Sequence, residues 1–131
     1  MRERRVEAAA WALAATQVVH GLTPADTESE GYVGAVVGLI LLVLSLAAIY
    51  GIRQDREWGV KVAGPTAAAV AIGFVAYHAT PWHSPVTNPY FGEPVGPAAW
   101  VSVALCIGAA VWTVVEVNAF RTRGQIEPAR A

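Results

Sequence analysis

Apolar and polar positions in this chain fall into long blocks rather than into an alternating pattern. Gly31 to Ile52, Val62 to Thr80 and Pro94 to Val115 contain no Asp, Glu, Lys or Arg. A helix crossing the ~30 Å hydrocarbon layer needs roughly 20 mainly apolar residues, so each block is long enough to span it. A fourth run, Ala8 to Leu22, is shorter and rich in alanine. It follows MRERR and has no Lys or Arg after Arg5, whereas an interfacial helix would carry basic residues along one face. It also lacks the small-x-small cleavage site of a signal peptide. The pattern predicts four helical spans at about 6–22, 31–52, 59–80 and 96–120 in one domain covering 1–131. Connections at 23–30 and 81–95 share one side, and 124–131 reads as a short, disordered polar tail.

Composition sharpens this picture. The 131 residues are 55% hydrophobic and 15% charged, where a soluble domain has roughly a quarter charged. A soluble chain this small has too little core to hide three uncharged blocks, so an integral membrane protein is expected. The single cysteine, Cys106, excludes an internal disulfide and a multi-cysteine metal site.

Charge then sets the topology. With the N-terminus in the cytoplasm, Arg2, Arg4, Arg5, Arg53, Arg56, Lys61, Arg121, Arg123 and Arg130 all fall on one face. The opposite face holds the acids Asp26, Glu28, Glu30 and Glu93. This is the positive-inside bias of plasma or cytoplasmic membrane proteins, and it holds only if the weak first segment also spans. The expected fold is therefore an all-α, antiparallel four-helix transmembrane bundle with both termini cytoplasmic. Basic residues on the inner face meet lipid headgroups of the bilayer, not nucleic acid.

Within the spans, Gly34 and Gly38 form a G-x-x-x-G pattern in the second, which favours close packing against a neighbour in the chain over self-association. Pro65 is expected to bend the first turns of the third. Pro94 and Pro97 suit entry into the fourth.

The stretch best supplied with chemistry is Tyr77 to Pro97, YHATPWHSPVTNPYFGEPVGP. Its prolines lower conformational entropy, which suits an ordered cap, with Trp82, Tyr90 and Phe91 folding onto the bundle or sitting in the headgroup layer. His20 and His78 each lie near the outer end of an outward-running span, so their imidazoles belong at similar depth. Thr16, Gln17 and His20 share one helical face, which in a membrane points at the bundle.

Imidazole is the commonest metal ligand. His20, His78 and His83 could converge with Glu30 or Glu93 around Zn²⁺ or Cu²⁺, although H-x4-H is no established metal signature. A narrower possibility is a b-type haem held axially by His20 and His78. Hydrogen bonding within the bundle and loop, with no cofactor, is the simpler expectation. Glu116, the one acid well inside the fourth span, is a candidate proton or cation carrier; snorkelling or pairing with Arg121, Arg123 or Lys61 explains it more cheaply.

Catalytic patterns are missing. The four serines form no G-x-S-x-G turn, and no phosphate-cradling glycine loop occurs. The leading expectation is a non-enzymatic accessory or interaction subunit whose outer loop docks a membrane-protein partner or a second copy. The alternatives are a metal- or haem-bearing redox or metal-handling protein using His20, His78 and His83, and a small-solute or ion carrier depending on Glu116.

Overall fold

A computed structural model describes residues 2–24, 32–82, 84 and 86–126. These form four helices: α1 (Arg2–Leu22), α2 (Tyr32–Arg53), α3 (Glu57–His78) and α4 (Pro97–Ile126). α2, α3 and α4 are long and apolar enough to cross a membrane. α1 has the length but carries Arg2, Glu3, Arg4, Arg5 and Glu7 in its first turns, and it does not qualify on composition.

The limits of α2 and α3 lie within two residues of the expected 31–52 and 59–80. α4 departs further. It continues through Arg121 and Arg123 to Ile126, where a disordered tail was expected from 124; residues 127–131 lie outside the described set. Charges at 121 and 123 mark where a chain leaves an apolar layer. They do not break a helix, and Thr122 Oγ1 still donates to the Asn118 carbonyl at 3.0 Å. Pro65 sits inside α3 on an exposed face, and the helix runs on through it.

α1 and α3 each pack against both α2 and α4 and scarcely touch one another, so the helices close into the cycle α1–α2–α3–α4. One end carries Arg53, Lys61 and Arg121 and is called here the arginine end. The other carries His20 and His78 and is called the histidine end.

Small side chains set the spacing of this cycle. Val6, Ala10, Ala14, Ala48, Ile49, Ile52, Val60, Ala63 and Val117 form one buried cluster toward the arginine end. Leu13, Ala67, Val70, Ala109 and Ala110 form the next. In lipid there is no hydrophobic drive to bring helices together, so association rests on close van der Waals approach and hydrogen bonds. The closest approach is glycine on glycine. A Cβ added at Gly51 would lie 2.7 Å from Gly59 Cα, and one at Gly59 would collide with the Ile52 backbone nitrogen. Gly34 packs within the chain as expected: a Cβ there would meet the Tyr77 ring at 2.5 Å, whereas Gly38 has open space.

Candidate functional site

The histidine end is closed by side chains from three helices and by the chain between α3 and α4. His20, near the C-terminus of α1, and His78, the last residue of α3, meet edge to face with ring centroids 5.1 Å apart. Phe74, one turn before His78, lies 4.7 Å from His20 and 5.7 Å from His78. Tyr77 packs edge-on to His78 at 4.9 Å.

After α3 the chain folds back over these rings. The Asn88 amide donates to the Tyr77 carbonyl at 2.8 Å, and the Tyr90 amide to the His78 carbonyl at 3.0 Å. These two bonds use carbonyls that the last turn of α3 would otherwise leave without helical partners. They also bury Asn88, Pro89 and Tyr90. The Tyr90 ring, 3% exposed, stacks at 4.2 Å on His78 and at 5.4 Å against Trp100 of α4. Burial holds the Tyr90 phenol above the usual tyrosine range, and the neighbouring Tyr77 adds to the effect. Upstream, a tight turn is pinned by Thr87 Oγ1 donating to the Trp82 carbonyl at 2.9 Å and by the Ser84–Thr87 bridge. Downstream, Gly92 takes φ +85°, a conformation that glycine adopts without Cβ strain.

Hydrogen bonds fix the state of both imidazoles. His78 Nδ1 lies 3.1 Å from the Asn88 carbonyl oxygen; a carbonyl only accepts, so Nδ1 carries the proton. His20 Nδ1 lies 2.9 Å from Ser102 Oγ. Ser102 Oγ also donates to the Ala99 carbonyl at 2.7 Å, which favours His20 Nδ1 as the donor to Ser102. In this arrangement the His78 ring is the Nδ1–H tautomer, and the Ser102 hydroxyl favours the same tautomer at His20, with Nε2 carrying the lone pair. Among the described residues, neither Nε2 takes part in a hydrogen bond.

Several other expected residues are placed elsewhere. Thr16 and His20 both face α4, beside Cys106 and Ser102, while Gln17 turns to α2. Gln17 Nε2 donates to Ser45 Oγ of α2 at 2.9 Å, while Gln17 Oε1 is buried without a partner. Trp82 and Phe91 are 61% and 58% exposed, and Phe91 also touches Trp100 at 4.9 Å. Glu116 lies on the outer surface of α4 with Oε1 accepting from Trp112 Nε1 at 3.3 Å. Arg121, one of its expected partners, reaches the Val60 carbonyl at 3.4 Å instead. Cys106 is buried one turn inward of Ser102, beside Thr16. His83 and Glu30 lie outside the described residues. Glu93 is half-buried in the cap. Among the described residues, no three His, Cys, Asp or Glu side chains converge as a metal site would require.

Residues missed from the sequence are Phe74, Ser102 and Asn88. Ser102 carried a signal, as a lone hydroxyl near the start of an apolar helix. Asn88 acts through its backbone, which no sequence pattern marks.

All-helical architecture with three helices able to span a bilayer is consistent with an integral membrane protein. No family model, curated protein or solved structure matches the chain.

Proposed function

We propose that this is a non-enzymatic accessory subunit of a membrane, an antiparallel bundle whose histidine end faces outward and docks a membrane-protein partner or a second copy. The antiparallel arrangement is supported by neighbours across the cycle. His20, late in α1, meets Ser102, early in α4; Val6, early in α1, shares a cluster with Ile52, late in α2. Spanning by α1 is supported by its burial among α2 and α4 through Val6, Ala9, Ala10, Leu13 and Ala14, and by the grouping of basic residues at the arginine end.

One observation carries the docking role. The cap between α3 and α4 is locked from below by Asn88 and Tyr90, yet it turns Trp82, Val86 and Phe91 outward, with Val86 63% exposed. A surface already ordered before it meets a partner binds with less entropy lost. The Glu116–Trp112 pair on the outer surface of α4 supports an interfacial anchor over a carrier, since a transported ion needs a carboxylate facing an internal path.

Native mass spectrometry of the protein drawn from its own host in mild detergent tests this. The expected result is a defined dimer or a complex with a second polypeptide, lost in a Trp82→Ser, Val86→Ser, Phe91→Ser triple variant that keeps its helical content. A bare monomer from wild-type membranes contradicts it.

A further inference from the structure

Two neutral imidazoles with their Nδ1 protons committed and their Nε2 lone pairs open resemble the resting state of metal-ligating histidines. In such sites a carbonyl or hydroxyl orients the ring through one nitrogen and leaves the other for the ion. We propose that His20 Nε2 and His78 Nε2 form a binding site for a monovalent d¹⁰ cation, Cu⁺, with the Phe74 ring as a third wall.

Ring spacing supports a compact ion. The separations of 4.7, 5.1 and 5.7 Å among His20, His78 and Phe74 place a point about 3 Å from all three centres, which is where an ion bonded to Nε2 at roughly 2.0 Å would sit. Binding requires both Nε2 atoms to turn toward that point. A haem would need a slot several times wider, and Phe74 and Tyr90 fill the flanks of the pair.

Charge selects the valence. Neutral imidazoles bring no negative charge to a bound ion. The solvation cost of an ion in a low-dielectric site grows with the square of its charge, so a dication costs about four times as much as a monocation there. Imidazole nitrogens suit copper, and a soft cation gains further from an aromatic face within about 6 Å. Two protein nitrogens leave the ion incompletely coordinated, which suits transient holding and transfer better than a permanent structural role.

Ag⁺ reports on the site with the same charge and d¹⁰ shell and without redox chemistry. Full-length protein with Cys106→Ser, which removes the competing thiol, is titrated in micelles by calorimetry and by ¹⁵N resonances of the histidine rings. One Ag⁺ per chain is expected, with the Nε2 resonances of His20 and His78 moving and Nδ1 remaining protonated. His20→Ala and His78→Ala each weaken binding by more than about tenfold, and Ser102→Ala by about tenfold through lost orientation. Zn²⁺ binds at least about tenfold more weakly than Ag⁺, in keeping with the charge penalty. Unchanged binding in the double alanine variant, unmoved Nε2 resonances in the unsubstituted histidines, or tighter binding of Zn²⁺ than of Ag⁺ overturns the proposal. The resonance measurement needs no histidine variant to fold.

Discussion

At the arginine end α2 and α3 meet glycine to glycine, with Gly51 and Gly59 near backbone contact and alanines and valines filling the rest. At the histidine end rings fill the space between helices, through His20, Phe74, His78 and Tyr90, with Gly34 admitting the Tyr77 ring. Polar groups differ as sharply. Around the arginine end the ion pairs Glu7–Arg53, at 3.6 Å, and Glu57–Lys61, at 2.9 Å, are largely exposed. At the histidine end the hydrogen bonds are buried or partly buried and link α1 to α4 and α3 to the cap. One end depends on the absence of side-chain atoms. The other depends on which atoms are present, and a structure built on particular ring nitrogens and hydroxyls is where binding chemistry belongs.

The largest expected effect breaks the first half of this comparison. Gly59→Ala pushes a methyl group into the Ala48–Ile52 backbone, and overpacking against backbone costs about 3 kcal/mol. Thermal unfolding in detergent should show a large drop, while Gly38→Ala, with open space around it, should leave stability unchanged or slightly raised. Equal effects at the two positions would remove the claim that glycine contact closes this end.

A smaller effect is expected from Tyr90→Ala. It removes ring contacts with His78 and Trp100, each worth about 0.5–1.5 kcal/mol beyond area. The loss should be local, with faster amide exchange at Asn88 and little change in helical content. Global unfolding would show instead that the cap is part of the core.

Least affected should be Glu7→Gln. Its ion pair with Arg53 is long and only partly buried, so stability should change by less than about 0.5 kcal/mol. A larger loss in chemical denaturation would mean that the arginine end also relies on specific polar contacts.

Much of the frame was legible because lipid imposes a coarse rule. Long uncharged blocks gave α2 nearly to the residue and the body of α3, which starts at Glu57 ahead of its block, and similar depth pointed to His20 and His78 as neighbours. Legibility failed where the contact was made by backbone or by absence. Gly51 and Gly59 sit at either side of a short turn, and nothing in GIRQDREWG announces that their backbones touch. Ser102 could not be paired from the sequence because its partner lies 82 positions away. Asn88 holds His78 through a carbonyl that any residue could supply. The run of α4 past Arg121 was missed because charge was read as the end of the helix.

Central to this account is that the Asn88–Tyr90 stretch is latched onto the histidine end before any partner or ion arrives. Hydrogen–deuterium exchange of the full chain in lipid nanodiscs, resolved at single amides, tests that directly. The Asn88 and Tyr90 amides, bonded to the Tyr77 and His78 carbonyls at 2.8 and 3.0 Å, should be protected to a degree approaching that of the last turn of α3, while Trp82 and Phe91 exchange quickly. Exchange at Asn88 and Tyr90 as fast as at Trp82 would mean that the cap is open in the membrane, and the preformed docking surface and the covered histidine pair would both be lost.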